Sequence, residues 1–351
     1  MEVQVIDRLE DFEKLRPAWN QLHAIDPHAS VFMSWAWMDG WLRHAPYEWM
    51  ILGARLTGSQ EWAAFWPISP RGATKTYRID QVREIHMAGE PLADYTGFVC
   101  APQFERAAFE ALADFLASRI QWDQLRLKEI EDPRLDRFLQ CIPAHTIRVT
   151  NHRGTCCPYL SLPPTWPEYL RDCLSSATRK SLKKRLKTAE RQFRVTHSCD
   201  QTIDSQIDEL VKLAAMRRPQ TVADELPRCR DILRSCARAG FASIIMLWSD
   251  GTPVAGQAYF TDHKSNSISM FLTGFDNRFA KFAPGKVVEA ICIREAIEGK
   301  MRTVDFLRGE EPYKFELGAR PRHNRHVTVV RRGFQTATRL TFSRMRQKLH
   351  I

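Results

Sequence analysis

The chain has 351 residues, of which 44% are hydrophobic and 26% charged, and its formal net charge is +10. This length allows two domains of ordinary size, and the composition is typical of a soluble globular protein. No apolar run approaches the roughly 20 residues that a membrane-spanning helix needs. Residues 1–7 show no basic-then-apolar signal, so we expect a cytoplasmic protein. The cysteines form no C-x-x-C pair, and we expect neither a metal site nor a disulfide framework.

The positive charge is confined to the second half of the chain. Residues 1–160 hold 17 Lys and Arg against 21 Asp and Glu, a net of −4, and the remainder holds 34 against 20, a net of +14. Two runs carry this excess: residues 179–194 have eight basic residues and one acid, and residues 321–351 have no acid. An anionic partner is therefore expected to bind the second half.

The first half of the chain is predicted to mix helices with short strands. Helices are predicted at residues 9–25, 32–44, 104–119 and 133–141. Strands are predicted at residues 3–6, 49–56, 61–68, 85–87, 97–100, 125–130, 146–149 and 159–162. The second of these helices carries three tryptophans at helical spacing, which favours a core position over a surface for stacking ligands.

A cluster of prolines at residues 158–167 marks the predicted boundary between domains 1–163 and 164–351. The second domain is predicted to begin with one long helix, at residues 168–193, and a strand at 193–198. Helices 203–217 and 226–239, antiparallel strands 241–248, 254–261 and 268–272, helix 287–298, strands 304–307 and 327–330, and helix 336–349 follow. Both halves thus show a similar order of elements, which indicates a duplicated α+β fold.

A basic turn precedes the helix at residues 287–298. The segment Pro284-Gly285-Lys286 opens this helix, and the proline near its start and Gly299 after its end are the usual signals of helix termini. A helix N-terminus reached through a glycine-bearing turn presents free N–H groups and a positive dipole end, and both favour phosphate. Arg278 and Lys281 add positive charge, so the turn is predicted to bind an anion.

A dense group of ionisable residues follows the strand at residues 304–307. The group comprises Asp305, Arg308, Glu310, Glu311, Tyr313 and Lys314. Charged groups at the end of an apolar strand are costly to bury unless they are paired, yet a site that moves a proton needs such groups. The segment is therefore either a charged surface turn or part of an active site, and its position after the basic turn favours the second interpretation.

The order of elements, with a phosphate-type turn after the fourth strand, resembles the Gcn5-related N-acetyltransferase (GNAT) fold. The segment from Asp305 to Lys314, together with the basic helix and Pro284-Gly285, resembles the cellulose-biosynthesis-type acetyltransferases, a double-GNAT group related to the Fem aminoacyl transferases. The resemblance covers about residues 165–320 and, more loosely, the first half. It implies tandem GNAT-like domains, each a mixed, mostly antiparallel sheet flanked by helices.

The resemblance implies transfer of an acetyl or other acyl group from acyl-CoA, without a metal, to an amine or hydroxyl of a small-molecule or sugar acceptor. The implied CoA-binding residues are Arg278, Lys281, Ala283, Pro284, Gly285, Lys286 and Val287. GNAT turns usually carry more glycine than this one, which departs from the family at that point. The equivalent turn of the first domain, residues 100–105, contains neither glycine nor a basic residue, so we expect that it does not bind CoA. The first domain is instead expected to shape the acceptor site.

Several roles are predicted for the charged segment. Glu310 or Glu311 is the predicted base, because a partly desolvated carboxylate has a raised pKa, and Asp305 is the alternative. Tyr313 is expected either to protonate the leaving thiolate or to pack under the turn. Arg308 and Lys314 are candidate acceptor-binding residues, and Asp94 and Tyr95 are the first-domain candidates.

Two other functions stay open from the sequence. A Fem-like transferase would use aminoacyl-tRNA, with the basic helix following RNA phosphates, although this helix almost lacks aromatic residues and no RNA-binding motif is present. A non-catalytic GNAT scaffold in a polysaccharide or other biosynthetic assembly is the third. Nucleic acid is thus expected only in the Fem-like alternative. The sequence gives neither the acceptor nor the oligomeric state.

Overall fold

A computed structural model describes residues 1–72, 82–216 and 225–349 of the chain. Its α-helices are α1 (Leu9–Lys14), α2 (Arg16–Ile25), α3 (Trp35–Leu42), α4 (Glu105–Arg119), α5 (Leu135–Gln140), α6 (Trp166–Glu168), α7 (Ser176–Gln192), α8 (Ile203–Ala215), α9 (Leu226–Arg238), α10 (Pro284–Glu298), α11 (Pro312–Glu316) and α12 (Phe334–Leu349). Its strands are β1 (Glu2–Ile6), β2 (Met50–Arg55), β3 (Trp62–Arg71), β4 (Glu84–Met87), β5 (Val99–Cys100), β6 (Gln124–Ile130), β7 (Ile147–Cys156), β8 (Tyr159–Ser161), β9 (Arg194–His197), β10 (Ala242–Ser249), β11 (Thr252–Asp262), β12 (Ser267–Phe275), β13 (Thr303–Asp305) and β14 (His323–Arg331).

The chain divides into two compact units. Unit 1 comprises Met1–Met38, Leu42–Thr155 and Asn324–Ile351, and unit 2 comprises Asp39–Trp41 and Cys156–His323. The division differs from the predicted boundary because the last segment of the chain returns to unit 1. Strand β14 supplies the physical reason, since it pairs antiparallel with β6 of the first sheet, with Val327 opposite Leu127.

The two sheets have the same internal order of strands. In unit 1 the antiparallel series β1-β2-β3-β4 is followed by β6, which lies parallel to β4 across the crossover helix α4. In unit 2 the antiparallel series β9-β10-β11-β12 is followed by β13, which lies parallel to β12 across α10. Each sheet is thus mostly antiparallel and flanked by helices, and the predicted duplication of one α+β fold is confirmed.

The strand beside each crossover strand comes from a distant part of the chain. In the first sheet, β14 from the end of the chain lies between β6 and β7. In the second sheet, β8 from the segment between the two repeats pairs antiparallel with β13, with Leu160 opposite Val304. In each repeat, the sheet therefore includes a strand that lies outside the repeat's own continuous stretch of sequence.

Apolar clusters fill both units. The unit 1 core contains Trp66, Phe98 and Phe138, all at most 1% exposed, and the rings of Trp66 and Phe138 lie 4.7 Å apart. Trp37 and Trp41 of α3 are fully buried, which agrees with the predicted core position of the tryptophan-rich helix. None of the helices in the described ranges has the length and hydropathy of a membrane span.

The prediction of one long helix at residues 168–193 is wrong for residues 168–175, where the chain breaks before α7. Thr165 accepts a hydrogen bond from the backbone N–H of Glu168 and forms a capping box that starts α6. A π-helical turn, Tyr169–Cys173, follows, and the chain becomes extended at Leu174. Ser175 then caps α7 by accepting a hydrogen bond from Thr178 N at 3.1 Å. The prediction failed because the apolar residues keep their helical spacing through this break. The side chains of Thr165 and Ser175, which cap the two helices, determine where each helix starts.

Two valines in neighbouring strands test the placement of β14. Val329 of β14 is fully buried, and Val149 of β7 is 40% exposed. We expect Val329→Ala to lower the free energy of unfolding by about 2 kcal/mol, because a buried cavity replaces its methyl groups. Val149→Ala should change it by about 0.5 kcal/mol or less. Urea unfolding followed by circular dichroism measures both, and equal midpoints for the two variants would contradict a core position of β14.

Candidate active site

The two parallel strands of unit 2 place the predicted turns at one edge of the sheet. Strands β12 and β13 pair only from Ser267 opposite Thr303 to Ser269 opposite Asp305, and β12 continues to Phe275. Parallel strands end at the same edge, so the turn that leads into α10 and the charged turn after β13 both leave from that edge. The order of secondary structure predicted this arrangement.

The N-terminus of α10 has the backbone needed to bind an anion. Ala283 precedes it in the left-handed conformation, with φ of 49°, and Pro284 has no N–H. The amides of Gly285 and Lys286 therefore lie in the first turn, where no helical carbonyl accepts from them. A Cβ on Gly285 would lie 3.0 Å from the ring of Phe275, so glycine lets the helix approach β12 closely.

The predicted cations of this turn are already engaged within the protein. Arg278 donates to Asp276, with Nη2 and Oδ2 at 2.6 Å, and Lys281 lies 4.9 Å above the ring of Phe282. Lys286 is ion-paired with Glu316 of α11. Anion binding at the helix terminus would thus exchange the Lys286–Glu316 contact for a new one, while Arg278 is held by its neighbour. Val287, also predicted here, is fully buried in the core.

A cavity of about 320 Å³ lies between the basic helix α7 and the start of α10. Its walls include Ser181 and Arg185 of α7, Lys286 of α10, and Glu316 and Leu317 at the end of α11. Two basic side chains, Arg185 and Lys286, thus line one concave surface beside the N-terminus of α10. The sequence indicated each basic segment, and the structure brings them together.

Lys314 organises the charged turn from inside the protein. This side chain is 3% exposed, and its Nζ donates to the carbonyls of Leu307, Arg308 and Gly309 at 3.2, 2.8 and 3.2 Å. It also forms an ion pair with Glu311 at 3.0 Å. A buried ammonium must be paired and hydrogen-bonded, and this one satisfies its three protons on the turn itself. The geometry gives Lys314 a structural role, in contrast to the predicted contact with an acceptor.

The turn has a backbone that few sequences adopt. Leu307 and Gly309 have φ of 57° and 116°, and a Cβ on Gly309 would lie 2.3 Å from a carboxylate oxygen of Glu311. Asp305 fixes the start of the turn, because its carboxylate accepts from Leu307 N at 2.8 Å and from Arg322 at 2.6 Å. Asp305, 6% exposed, is thus committed to an ion pair with Arg322. Arg308, which was predicted to contact the acceptor, is half-buried on the same turn, and its carbonyl accepts a hydrogen bond from Lys314.

The two predicted bases are exposed. The side chain of Glu310 is 68% exposed and that of Glu311 is 55% exposed. Their predicted desolvation is therefore absent from the structure. Glu289 of α10, which the sequence did not indicate, is a carboxylate in this region whose pKa is raised by burial.

Glu289 is buried inside unit 2 and is hydrogen-bonded to Tyr313. Burial raises the pKa of Glu289 to about 8, and the hydrogen bond from Tyr313 and the charge of Lys314 oppose this rise. Its Oε2 has no hydrogen-bond partner among the described residues. Residues three or four apart share a helix face, so Glu289 lies one turn beyond Lys286 of the cavity wall. One acid within the apolar run Val287-Val288-Glu289-Ala290-Ile291 was the available sequence signal.

The first-domain candidates, Asp94 and Tyr95, lie in unit 1 and are 6% and 5% exposed. The carbonyl of Asp94 accepts from Asn324 at 2.9 Å, and the ring of Tyr95 packs edge-to-face on Phe32. Both contacts support structural roles within their own unit. At the start of α4, Glu105 places a negative charge in the first turn, where a bound phosphate would be repelled.

Comparisons with known proteins agree with this architecture. Residues 176–315, within unit 2, match the family model described as the acetyltransferase (GNAT) domain. No curated protein matches the chain. The structure of FemX is similar at 12% identity with a TM-score of 0.61, covering 93% of this chain and 97% of that one. L-PGS from Bacillus licheniformis is similar at 11% identity with a TM-score of 0.55, covering 96% of each chain.

A tandem GNAT protein from the clavulanic acid biosynthesis pathway is similar at 13% identity with a TM-score of 0.50, covering 95% of this chain and 99% of that one. At such identities these likenesses show the fold alone. Residues 176–315 of unit 2 thus match a GNAT domain model, and the predicted tandem GNAT-like fold is confirmed. The narrower resemblance to cellulose-biosynthesis-type acetyltransferases stays a prediction.

The buried carboxyl of Glu289 makes a pH-dependent stability prediction. Its folded pKa of about 8 exceeds the usual 4.5, so its stabilising contribution is full below about pH 4.5 and is lost as the pH rises through about 8. We expect Glu289→Gln, which stays neutral, to melt progressively higher than the wild type between pH 6 and 9. Each pKa unit corresponds to about 1.4 kcal/mol.

Thermal melts at several pH values measure this difference, with Glu298→Gln at the exposed end of the same helix as the matched control. A difference between Glu289→Gln and the wild type that does not grow with pH would contradict a buried neutral carboxyl.

Proposed function

We propose that unit 2 is an acyltransferase that moves an acetyl or other acyl group from acyl-CoA to an amine or hydroxyl of a small-molecule or sugar acceptor. The observation that carries this proposal is the cavity between α7 and the N-terminus of α10, which Arg185 and Lys286 line and beside which the helix begins. Such a surface fits the phosphates of CoA, because backbone N–H groups and cations both attract them.

In this proposal the amides of Gly285 and Lys286 accept the CoA pyrophosphate, and Arg185 of α7 supplies a second cation. Lys286 exchanges its contact with Glu316 for a phosphate oxygen, which leaves Glu316 facing solvent. The thioester then extends along the edge of β12 that β13 leaves unpaired after Ser269. Unit 1 would shape the acceptor side of the reaction, as the resemblance implies.

The chemical step needs a base for the attacking amine and an acid for the leaving thiolate. The acceptor nitrogen forms the new bond to the carbonyl carbon, the C–S bond breaks, and the ammonium proton passes to Glu311 or Glu310. We propose that Tyr313 protonates the thiolate and that Glu289 returns a proton to Tyr313. Glu289 suits this role because its raised pKa keeps it protonated at neutral pH.

A Fem-like transferase that uses aminoacyl-tRNA is the second candidate. The observation that favours it is the exposed basic face of α7, including Lys180, Lys183 and Lys184, together with the structural likeness to FemX. Such a face follows an RNA backbone with a steep dependence on salt. The third candidate is a non-catalytic scaffold in a polysaccharide or other biosynthetic assembly. Ligand-binding experiments distinguish both of these alternatives from the proposed acyltransferase.

Ligand binding to the full chain separates these functions. We expect acetyl-CoA to raise the melting temperature, and Lys286→Gln to weaken its affinity about tenfold, because one charged hydrogen bond is lost. Lys264→Gln, an exposed lysine in the turn between β11 and β12, is the matched control and should bind as the wild type does. Calorimetry measures the affinities.

A shift with tRNA but not with acetyl-CoA would favour the Fem-like function. No shift with either ligand would favour the scaffold and overturn the proposal.

Loss of the exposed carboxylates tests the assignment of the base. We expect the double variant Glu310→Gln, Glu311→Gln to lower turnover about a hundredfold or more, since general bases contribute on that order. Its melting temperature should fall, because Glu311→Gln removes the ion pair of the buried Lys314, whereas Glu310→Gln alone, at a mostly exposed side chain, should change it little. Release of the free CoA thiol, followed with a thiol reagent over a panel of amine and hydroxyl acceptors, measures the rate. Retained turnover would exclude both residues as the base.

A further inference from the structure

Three side chains that are far apart in sequence meet beside the charged turn of unit 2. The sulfur of Cys156, a carboxylate oxygen of Glu310 and a ring nitrogen of His323 all lie within 4.8 Å of one another. Thiolate, carboxylate and imidazole are the three side-chain types that bind zinc in proteins. The sequence does not reveal this group, because Cys156 lies more than a hundred residues before Glu310, and His323 lies about a dozen residues after Glu310.

Backbone hydrogen bonds hold these residues in place. Cys157 N donates to Arg322 O at 2.7 Å and Tyr159 N donates to Arg320 O at 2.9 Å, so the two segments run side by side. This pairing brings the preceding residue, Cys156, beside the following residue, His323. Gly309 N donates to the carbonyl of Cys156 at 3.0 Å, which fixes the neighbouring Glu310 against the same point. The three side chains are therefore positioned by rigid backbone rather than by a mobile loop.

His323 and Glu310 lie close enough to each other to share a cation. His323 Nε2 and Glu310 Oε1 lie 3.7 Å apart, which is longer than a hydrogen bond. Two ligand atoms at about 2.0–2.1 Å from a tetrahedral zinc ion lie about 3.3 Å apart, so a small movement of the Glu310 side chain brings this pair of atoms to that separation. Glu310 has the freedom for this movement, because its side chain is 68% exposed.

The three residues differ in how exposed they are, from the buried cysteine to the exposed glutamate. Cys156 is 4% exposed, the side chain of His323 is 22% exposed, and that of Glu310 is the most exposed. The sulfur thus lies at the protected end and the carboxylate at the exposed end, and three protein ligands would leave the fourth position of a tetrahedron for another ligand. Three protein ligands and one open position are the pattern of zinc sites that bind a water molecule or a substrate.

We propose that Cys156, Glu310 and His323 form a binding site for a divalent zinc-type cation. A thiolate and a carboxylate together neutralise a charge of +2, and binding releases the thiol proton. The ion links the end of β7 to the start of β14 and to the turn after β13. Cation binding at this site does not require the proposed acyl transfer, although both proposals use Glu310. With the ion bound, only Glu311 of the two exposed carboxylates remains for proton transfer.

Cobalt(II) substitution tests this site in the full chain. Titration of the reduced, metal-free protein is expected to produce, at one equivalent, the sulfur-to-cobalt charge-transfer band and the intense visible bands of tetrahedral cobalt. Zinc should displace the cobalt and abolish these bands. His323→Ala and Cys156→Ser are each expected to weaken cobalt binding about a hundredfold, as the loss of a metal-site residue does.

Two cysteine variants are the controls. Cys157→Ser alters the adjacent, fully buried thiol, and Cys199→Ser removes an exposed thiol elsewhere in unit 2. Both should keep the bands at one equivalent. The proposal is overturned if the wild type shows no thiolate band, if Cys156→Ser keeps it, or if Cys199→Ser loses it. His323→Ala, which leaves the buried sulfur unchanged, keeps the test valid if Cys156→Ser fails to fold.

Discussion

The buried ammonium of Lys314 is the interaction on which the rest of this region depends. Three carbonyls in succession, those of Leu307, Arg308 and Gly309, point at one nitrogen, and the turn adopts two positive φ angles to achieve this. Burying a charge costs several kcal/mol unless its donors are satisfied, so the turn and the lysine specify each other. Glu310 and Glu311 lie on this turn, so the contacts of Lys314 determine where their backbone is placed.

The same turn connects the three chemical features of unit 2. On one side, Asp305 and the carbonyl of Cys156 anchor it to the segments that hold the cysteine and histidine. On the other side, Tyr313 contacts Glu289 of α10, and Glu316 contacts Lys286 at the N-terminus of α10. A ligand that displaces Glu316 from Lys286 therefore acts on α11, which carries Tyr313 and Lys314. The start of α10 and the charged turn are thus connected through one short helix.

Duplication of the fold did not produce two equivalent sites. Both sheets have the same strand order, with a crossover helix after the fourth strand of the antiparallel series. In unit 2 that helix begins with proline, glycine and lysine, whereas in unit 1 it begins with Glu105. The helix dipole is the same in both, and the first-turn side chains decide whether an anion is attracted or repelled.

The sequence by itself determined the elements of the two repeats, the basic turn before α10 and the dense charge after β13. These features are local: apolar periodicity, proline and glycine at helix ends, and charge density are written in neighbouring residues. Tertiary structure alone decided the rest. It returned β14 to the first sheet, buried Lys314 while it left Glu310 exposed, desolvated Glu289, and brought Cys156 beside His323. Burial, pKa and pairing depend on groups that are distant in the chain, and no local pattern specifies which of them meet.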